Sequence, residues 1–230
     1  MKLLAISTSG AFASAALITE SGMFYTRSET GAGFHSKTIL PLVDEITAKN
    51  DVELSDMDVF AADIGPGSFT GVRIGVCMIN AMARAHKKLV VGISSLEAIC
   101  RNDRGYAGKS ICSLIDARNG NCYCAYYENG APIIDCAAMN IEELIIRLKE
   151  HGADKVTFLG DGAAAYKSEL LSAFPGCAFI EGEAANSVNA LSVAQTAAEK
   201  YDEFGADEVM PMYLRASQAD RLQSEKFRIP

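Results

Sequence analysis

The order in which strands and helices can be read along the chain, more than any single residue, limits the folds open to it. A short apolar strand over residues 2–6 is followed by two strands, 13–19 and 23–28, joined by the hairpin signal Glu20-Ser21-Gly22. Ser36 then opens a helix to about Lys49, with Ile39, Leu40, Val43 and Ile46 at helical spacing and Pro41 early enough to be tolerated. A strand at 59–64, a Gly/Pro loop, a helix at 70–86, a strand at 89–93 and a short helix to about Arg101 complete the first series. The second half repeats it. A strand at 110–115 leads to strands 121–127 and 131–135 around Asn129-Gly130, a strong turn signal. A helix at 141–150, a strand at 155–159, a helix at 164–173, a strand near 178–180 and a helix at 189–204 follow. The same topology twice predicts two α/β lobes, each a mixed sheet flanked by helices. The expected division is 1–105, 106–217 and a polar tail at 218–230.

Composition narrows the functional classes. The 230 residues are 49% hydrophobic and 22% charged, as in an ordinary globular protein. No apolar stretch reaches the ~18 residues of a membrane span, and no A-x-A site follows the N-terminal MKLLAIS. A cytoplasmic protein without a leader is expected. The net charge of −8 and the scatter of the 21 basic residues speak against tight, unaided nucleic-acid binding. Seven cysteines, odd in number and irregularly spaced, do not read as a disulfide framework. Cys122 and Cys124 form a C-x-C pair with no second pair or histidine at zinc-site spacing, so no metal site is expected.

The informative stretch is residues 62–75, ADIGPGSFTGVRIG. It leaves a strand, turns on Gly65-Pro66-Gly67 and enters a helix near Thr70, which Ser68 or Thr70 can cap. A glycine loop feeding a helix suits phosphate, but the P-loop lysine and the dinucleotide spacing are both missing. The helix that follows is apolar or small nearly all round, with Arg73 and Arg84 its only charges. A surface helix normally keeps one polar face. Two readings are open: the other lobe covers this helix, or its second face meets a partner.

GPGSFTGVRIG closely resembles the hallmark of the TsaB (YeaZ) family of tRNA threonylcarbamoyladenosine biosynthesis proteins. LAISTS near the start, HSKTILPLVDEI at 35–46, IDARNGNCY at 115–123 and PMYLRAS at 211–217 match in the expected order and span nearly the whole chain. The resemblance implies the duplicated actin-like (ASKHA, ribonuclease H-like) fold. It also implies a non-catalytic subunit that supports TsaD in the t6A37 modification complex, with TsaE joining the assembly, and a homodimer in isolation. Transfer RNA would be met only through the complex, with no membrane and no cofactor of the chain's own. Carried over by motif, the partner contacts would be His35, Ile39, Leu40 and Val43 on one helix and Thr70, Arg73, Ile74 and Cys77 on the next. The family loop would be Gly65, Pro66, Gly67, Ser68, Phe69, Thr70 and Gly71.

The alternative is an independent ATP-dependent enzyme of the actin and sugar-kinase fold. Catalytic members of that fold carry an Asp after the first strand, where this chain has Ser7, a poor ligand for a hard divalent ion. Asp116-Ala117-Arg118 lacks a phosphate-wrapping glycine run, and Gly160-Asp161-Gly162 serves equally as a strand-to-helix turn. None of His35, His86 and His151 forms an H-x-x-x-H pair. Ser68 lacks a G-x-S-x-G elbow, and nothing marks Cys122 or Cys124 as an activated nucleophile. Asp63 is expected to be a solvated strand end or a loop-ordering acceptor.

Overall fold

A computed structural model describes residues 1–27, 35–103 and 105–215. The first lobe contains β1 (Leu3–Ser7), β2 (Ser14–Thr19), β3 (Gly22–Arg27), α1 (His35–Lys49), β4 (Val59–Asp63), α2 (Phe69–His86), β5 (Leu89–Ile93) and α3 (Ser95–Cys100). The second contains β6 (Ser110–Asp116), β7 (Asn121–Glu128), β8 (Ala131–Asn140), α4 (Ile141–Glu150), β9 (Thr157–Leu159), α5 (Asp161–Ala165), α6 (Lys167–Ala173) and β10 (Ala178–Phe179). The short α7 (Glu183–Asn186) and the longer α8 (Ala190–Phe204) follow.

The strand orders are β3-β2-β1-β4-β5 and β8-β7-β6-β9-β10, one topology built twice. In each, the central strand pairs antiparallel with the hairpin strand after it and parallel with the strand beyond the first helix; Leu3 faces Ile18 on one side and Val59 on the other. Every residue of β1 and β4 is buried, which is why both read as unbroken apolar runs rather than alternating ones.

Alternation along β1 sends side chains to opposite faces. Leu4 and Ile6 join Leu17 and Phe60 beneath α1 and α2. Leu3 and Ala5 turn the other way, into a core shared by both sheets that includes Val59, Ile93, Ile111, Ala125, Leu159 and Val193. Two helices fill this middle layer: α3 lies on β6 and β7, and α8 lies on β1, β2, β4 and β5. The outer face of the second sheet, with Leu114, Tyr126 and Phe158, is covered by Leu144, Leu148 and Leu170.

The first sheet draws its strands from residues 3–93 and the second from residues 110–179, while α8, which follows the second sheet in the chain, closes the inner face of the first. Its start is fixed by Ala190 N–H donating to Ser14 Oγ (3.0 Å) and by Asn102, whose amide donates to the carbonyls of Ala185 (3.0 Å) and Ser187 (2.9 Å). Arg101 at the end of α3 bonds Glu199 on α8 (2.6 Å). Beyond α8, residues 206–213 lie on the first lobe. Ala206 exchanges two backbone bonds with Val90 (2.8 and 2.9 Å), Asn80 on α2 holds both backbone groups of Val209 (2.8 and 3.0 Å), and Met212 N–H reaches Ile64 O (2.7 Å).

Candidate functional site

The loop from Ile64 to Ser68 is held by neighbours distant in sequence. Gly65 O accepts from Ser95 N–H (2.8 Å), and Ser68 N–H donates to Ser9 O (2.8 Å). Ser68 caps α2, its Oγ accepting from Gly71 N–H at 3.2 Å. The turn after β1 lies directly on the first two turns of this helix. Thr8 Oγ1 donates to Gly71 O at 2.7 Å. A Cβ on Gly71 would stand 2.0 Å from Thr8 O, and one on Gly75 would stand 2.5 Å from Thr8 Oγ1. The glycines of the motif are thus required by backbone approach, and the space an anion would need at this helix start is filled by the chain's own turn.

The other side of α2 faces out. Val72, Val76, Ile79, Met82 and Ala83 are buried, while Thr70, Arg73, Cys77, Ala81, Arg84 and Ala85 form an exposed stripe flanked by half-buried Ile74 and Met78. No part of the second lobe lies over the stripe among the described residues, so of the two readings the open face holds. At its N-terminal end Arg73 Nε donates to Tyr213 Oη (2.7 Å), with its guanidinium 3.8 Å from the Phe69 ring centroid. The Phe69 and Tyr213 rings meet at a tilt of 34°, their centroids 5.0 Å apart.

On α1, Leu40 is 46% exposed beside exposed Pro41 and Asp44. Ile39 and Val43 are buried against the first sheet and His35 is buried with Nε2 3.2 Å from Gly10 O, so these three do not lie on the outward face. Ile39 and Val43, carried over by motif as contacts, belong to the row by which α1 sits on its own sheet. Leu40, Thr70, Arg73 and Cys77 do face outward, and Ile74 sits half-buried at the edge of the stripe against the first lobe's core. Tyr213 lies in the matching 211–217 stretch, but its place against Arg73 and Phe69 follows only from the return of the chain after α8.

Asp63 is neither solvated nor at a free strand end. It is buried, bonded by Ser7 Oγ (2.8 Å), Ser9 Oγ, Ser95 Oγ (2.5 Å) and Gly65 N–H (3.0 Å). Burial pushes its carboxyl above the ordinary value, and the four donors pull it partly back. In the second lobe the turn after β6 uses its amides internally. Ala117 N–H donates to Asn121 O (3.0 Å), Arg118 N–H to Asp116 Oδ1 (2.8 Å) and Asn121 N–H to Arg118 O (3.2 Å). Tyr166 Oη donates to the same Asp116 oxygen at 3.0 Å. Asp116 is thus engaged by its own turn and by Tyr166.

His86 closes α2 and His151 caps the end of α4. Cys122 and Cys124 are buried and all seven cysteines are free. Burial pushes the Cys100 thiol up to about 12, away from nucleophilic use. Among the described residues no group of three or more His, Cys, Asp or Glu could hold a metal ion, and no helix is long and apolar enough to cross a membrane.

Two sheets of identical strand order with a helix from each half between them define the actin-like duplicated fold. A putative N-acetylmannosamine kinase from Listeria monocytogenes shares that fold at a TM-score of 0.52 and 11% identity, over 87% of this chain and 99% of that one. A Pseudomonas aeruginosa protein described as similar to the peptidase YEAZ superposes far better, at a TM-score of 0.79 and 25% identity over 93% and 99%. The family model described as "TsaD: tRNA N6-adenosine threonylcarbamoyltransferase" matches residues 29–221. The tRNA threonylcarbamoyladenosine biosynthesis protein TsaB of Bacillus subtilis is 28% identical over 98% of this chain and 100% of its own length. The protein of the same name from Escherichia coli is 34% identical over 56% of this chain and 58% of its own length. The chain belongs to this family and, within it, to the TsaB (YeaZ) group.

Proposed function

We propose that this chain is a subunit of the machinery that makes threonylcarbamoyladenosine in tRNA, and that it acts by docking on a protein of the tRNA N6-adenosine threonylcarbamoyltransferase family. The observation that carries the reading is the stripe along α2. A helix already seated on its sheet through Val72, Val76 and Ile79 presents Cys77, Ala81 and Ala85 outward, with the Phe69, Arg73 and Tyr213 cluster at one end and Arg84 at the other. Small side chains let a second helix come close, and an aromatic–Arg cluster is a common anchor at protein interfaces. Leu40 on α1 widens the same face.

The chain is read as an accessory subunit rather than an enzyme, with no cofactor of its own. Supporting this, the turn after β1 is packed on α2 and the amides of the turn after β6 are engaged by Asp116 and Asn121. Pairing of two copies when the partner is absent, a later-joining TsaE and a cytoplasmic site of action complete the proposal. Light scattering of the purified chain, alone and mixed with the transferase from the same source, tests it beside Ile74→Glu. Wild type should form a complex of defined mass that the variant does not. A chain that stays monomeric in both mixtures would remove the docking reading.

A further inference from the structure

Asp63 ends β4 with its carboxyl sealed inside the protein at 1% exposure. Ser7 and Ser9 both donate to Oδ2, while Ser95 and Gly65 N–H both donate to Oδ1. The acceptor capacity of a carboxylate is used up by these four donors. Only neutral groups face it: Ser7 and Ser9 from the turn after β1, Gly65 from the loop before α2, and Ser95 from α3. Its hydrogen-bond partners among the described residues are all uncharged. His35, on α1, touches the same turn through Gly10 O.

Two lines of contact leave this carboxyl. One runs through the turn to the first turn of α2, where Ser9 O accepts from Ser68 N–H and Thr8 Oγ1 donates to Gly71 O. The other runs through Ser95 to α3, which packs on β6 and β7 of the second lobe; its cap, Ser94, lies 3.0 Å from Cys136 Sγ on β8. A buried acid without a counter-charge is costly to keep.

We propose that Asp63 is a positioning residue for the docking helix, tying the start of α2 to α3 so that the setting of the two lobes reaches the face that meets the partner. This rests on the docking reading of α2. The carboxyl does no chemistry; it makes the turn, the loop and α3 move as one body.

The test uses the full chain with Asp63→Ala and Asp63→Asn, read by amide hydrogen exchange and by affinity for the transferase. Asp63→Ala leaves three hydroxyls and one N–H without their acceptor. It is expected to speed exchange at Gly71 and Val72 in α2 and at Ser95 and Leu96 in α3 together, and to weaken partner binding by about tenfold. Asp63→Asn keeps an oxygen acceptor and lets the serine hydroxyls turn round. Binding should stay within about threefold of wild type, and the acid-side change in protection expected of wild type at both helix starts should be absent. If exchange rises in α2 while α3 is unchanged, or in neither, the tie is absent and the proposal falls. Should Asp63→Ala not fold, the wild-type pH series and Asp63→Asn decide, because independent pH responses at the two helix starts also overturn it. A wild type that does not bind the transferase would sink the docking reading, while the exchange measurements still judge the tie.

Discussion

At Gly71 there is no room for a methyl group, because the Thr8 carbonyl oxygen occupies the place where it would go. Gly71→Ala must push the turn off α2 or strain the helix start. We expect a loss of about 1–3 kcal/mol, the usual range for overpacking, seen as a lower urea midpoint at unchanged slope. A variant as stable as wild type would mean that the turn yields freely. Asp63 gives a prediction of another kind. Its pKa is raised above the ordinary 3.8, so the folded state holds the proton more tightly than the unfolded one. The stability this group contributes is therefore fully present below the unfolded value and is lost as pH rises through the folded one. The unfolding free energy of wild type minus that of Asp63→Asn should fall with rising pH across that window. A constant difference would contradict the assignment.

The helices and strands differ in how well the sequence announced them. Most strands and α1, α2, α4 and α8 were legible to within a residue or two, since their apolar spacing and turn residues agree. The helix expected at 164–173 is instead two, α5 and α6, broken at Tyr166, whose hydroxyl reaches back to Asp116 and Asn121. That long-range pull leaves no periodic trace. β8 runs on to Asn140, past the stretch expected for it, because irregular pairing near Tyr126 lets it continue to the Asn121–Asn140 pair. On α1, periodicity marked Ile39, Leu40 and Val43 alike, yet only Leu40 points outward, so spacing found the helix but not which side meets what. For α2, the end is as telling as the start. Lys87 closes it in the left-handed region at φ 55° with its N–H on Ala83 O and Arg84 O, a conformation that costs a side chain about 1–2 kcal/mol. Lys87→Gly keeps those bonds, and thermal unfolding should show it more stable than wild type by about 1 kcal/mol; a destabilised variant would mean the Lys87 side chain itself holds the cap.

Taken whole, the molecule has two sheets but not two independent cores. The middle layer takes residues from both halves, and the helix that covers the inner face of the first sheet comes from residues 190–204. A fragment of residues 1–105 should therefore lack a cooperative unfolding transition, because Leu3, Ala5, Val59 and Val91 would face water. Circular dichroism through a urea series checks this, and a sigmoidal transition would show that the first lobe folds alone.

The late arrival of α8 also orders events on the ribosome. The first sheet is synthesised early, yet its inner face waits for a segment about 100 residues further on. At roughly 5–20 residues per second the delay is about 5–20 s, far longer than collapse or helix formation takes. For that interval the nascent chain exposes an apolar sheet face that its first half cannot cover, so the first lobe is expected to complete its core only once residues 190–204 have been made and to be open to chaperones until then.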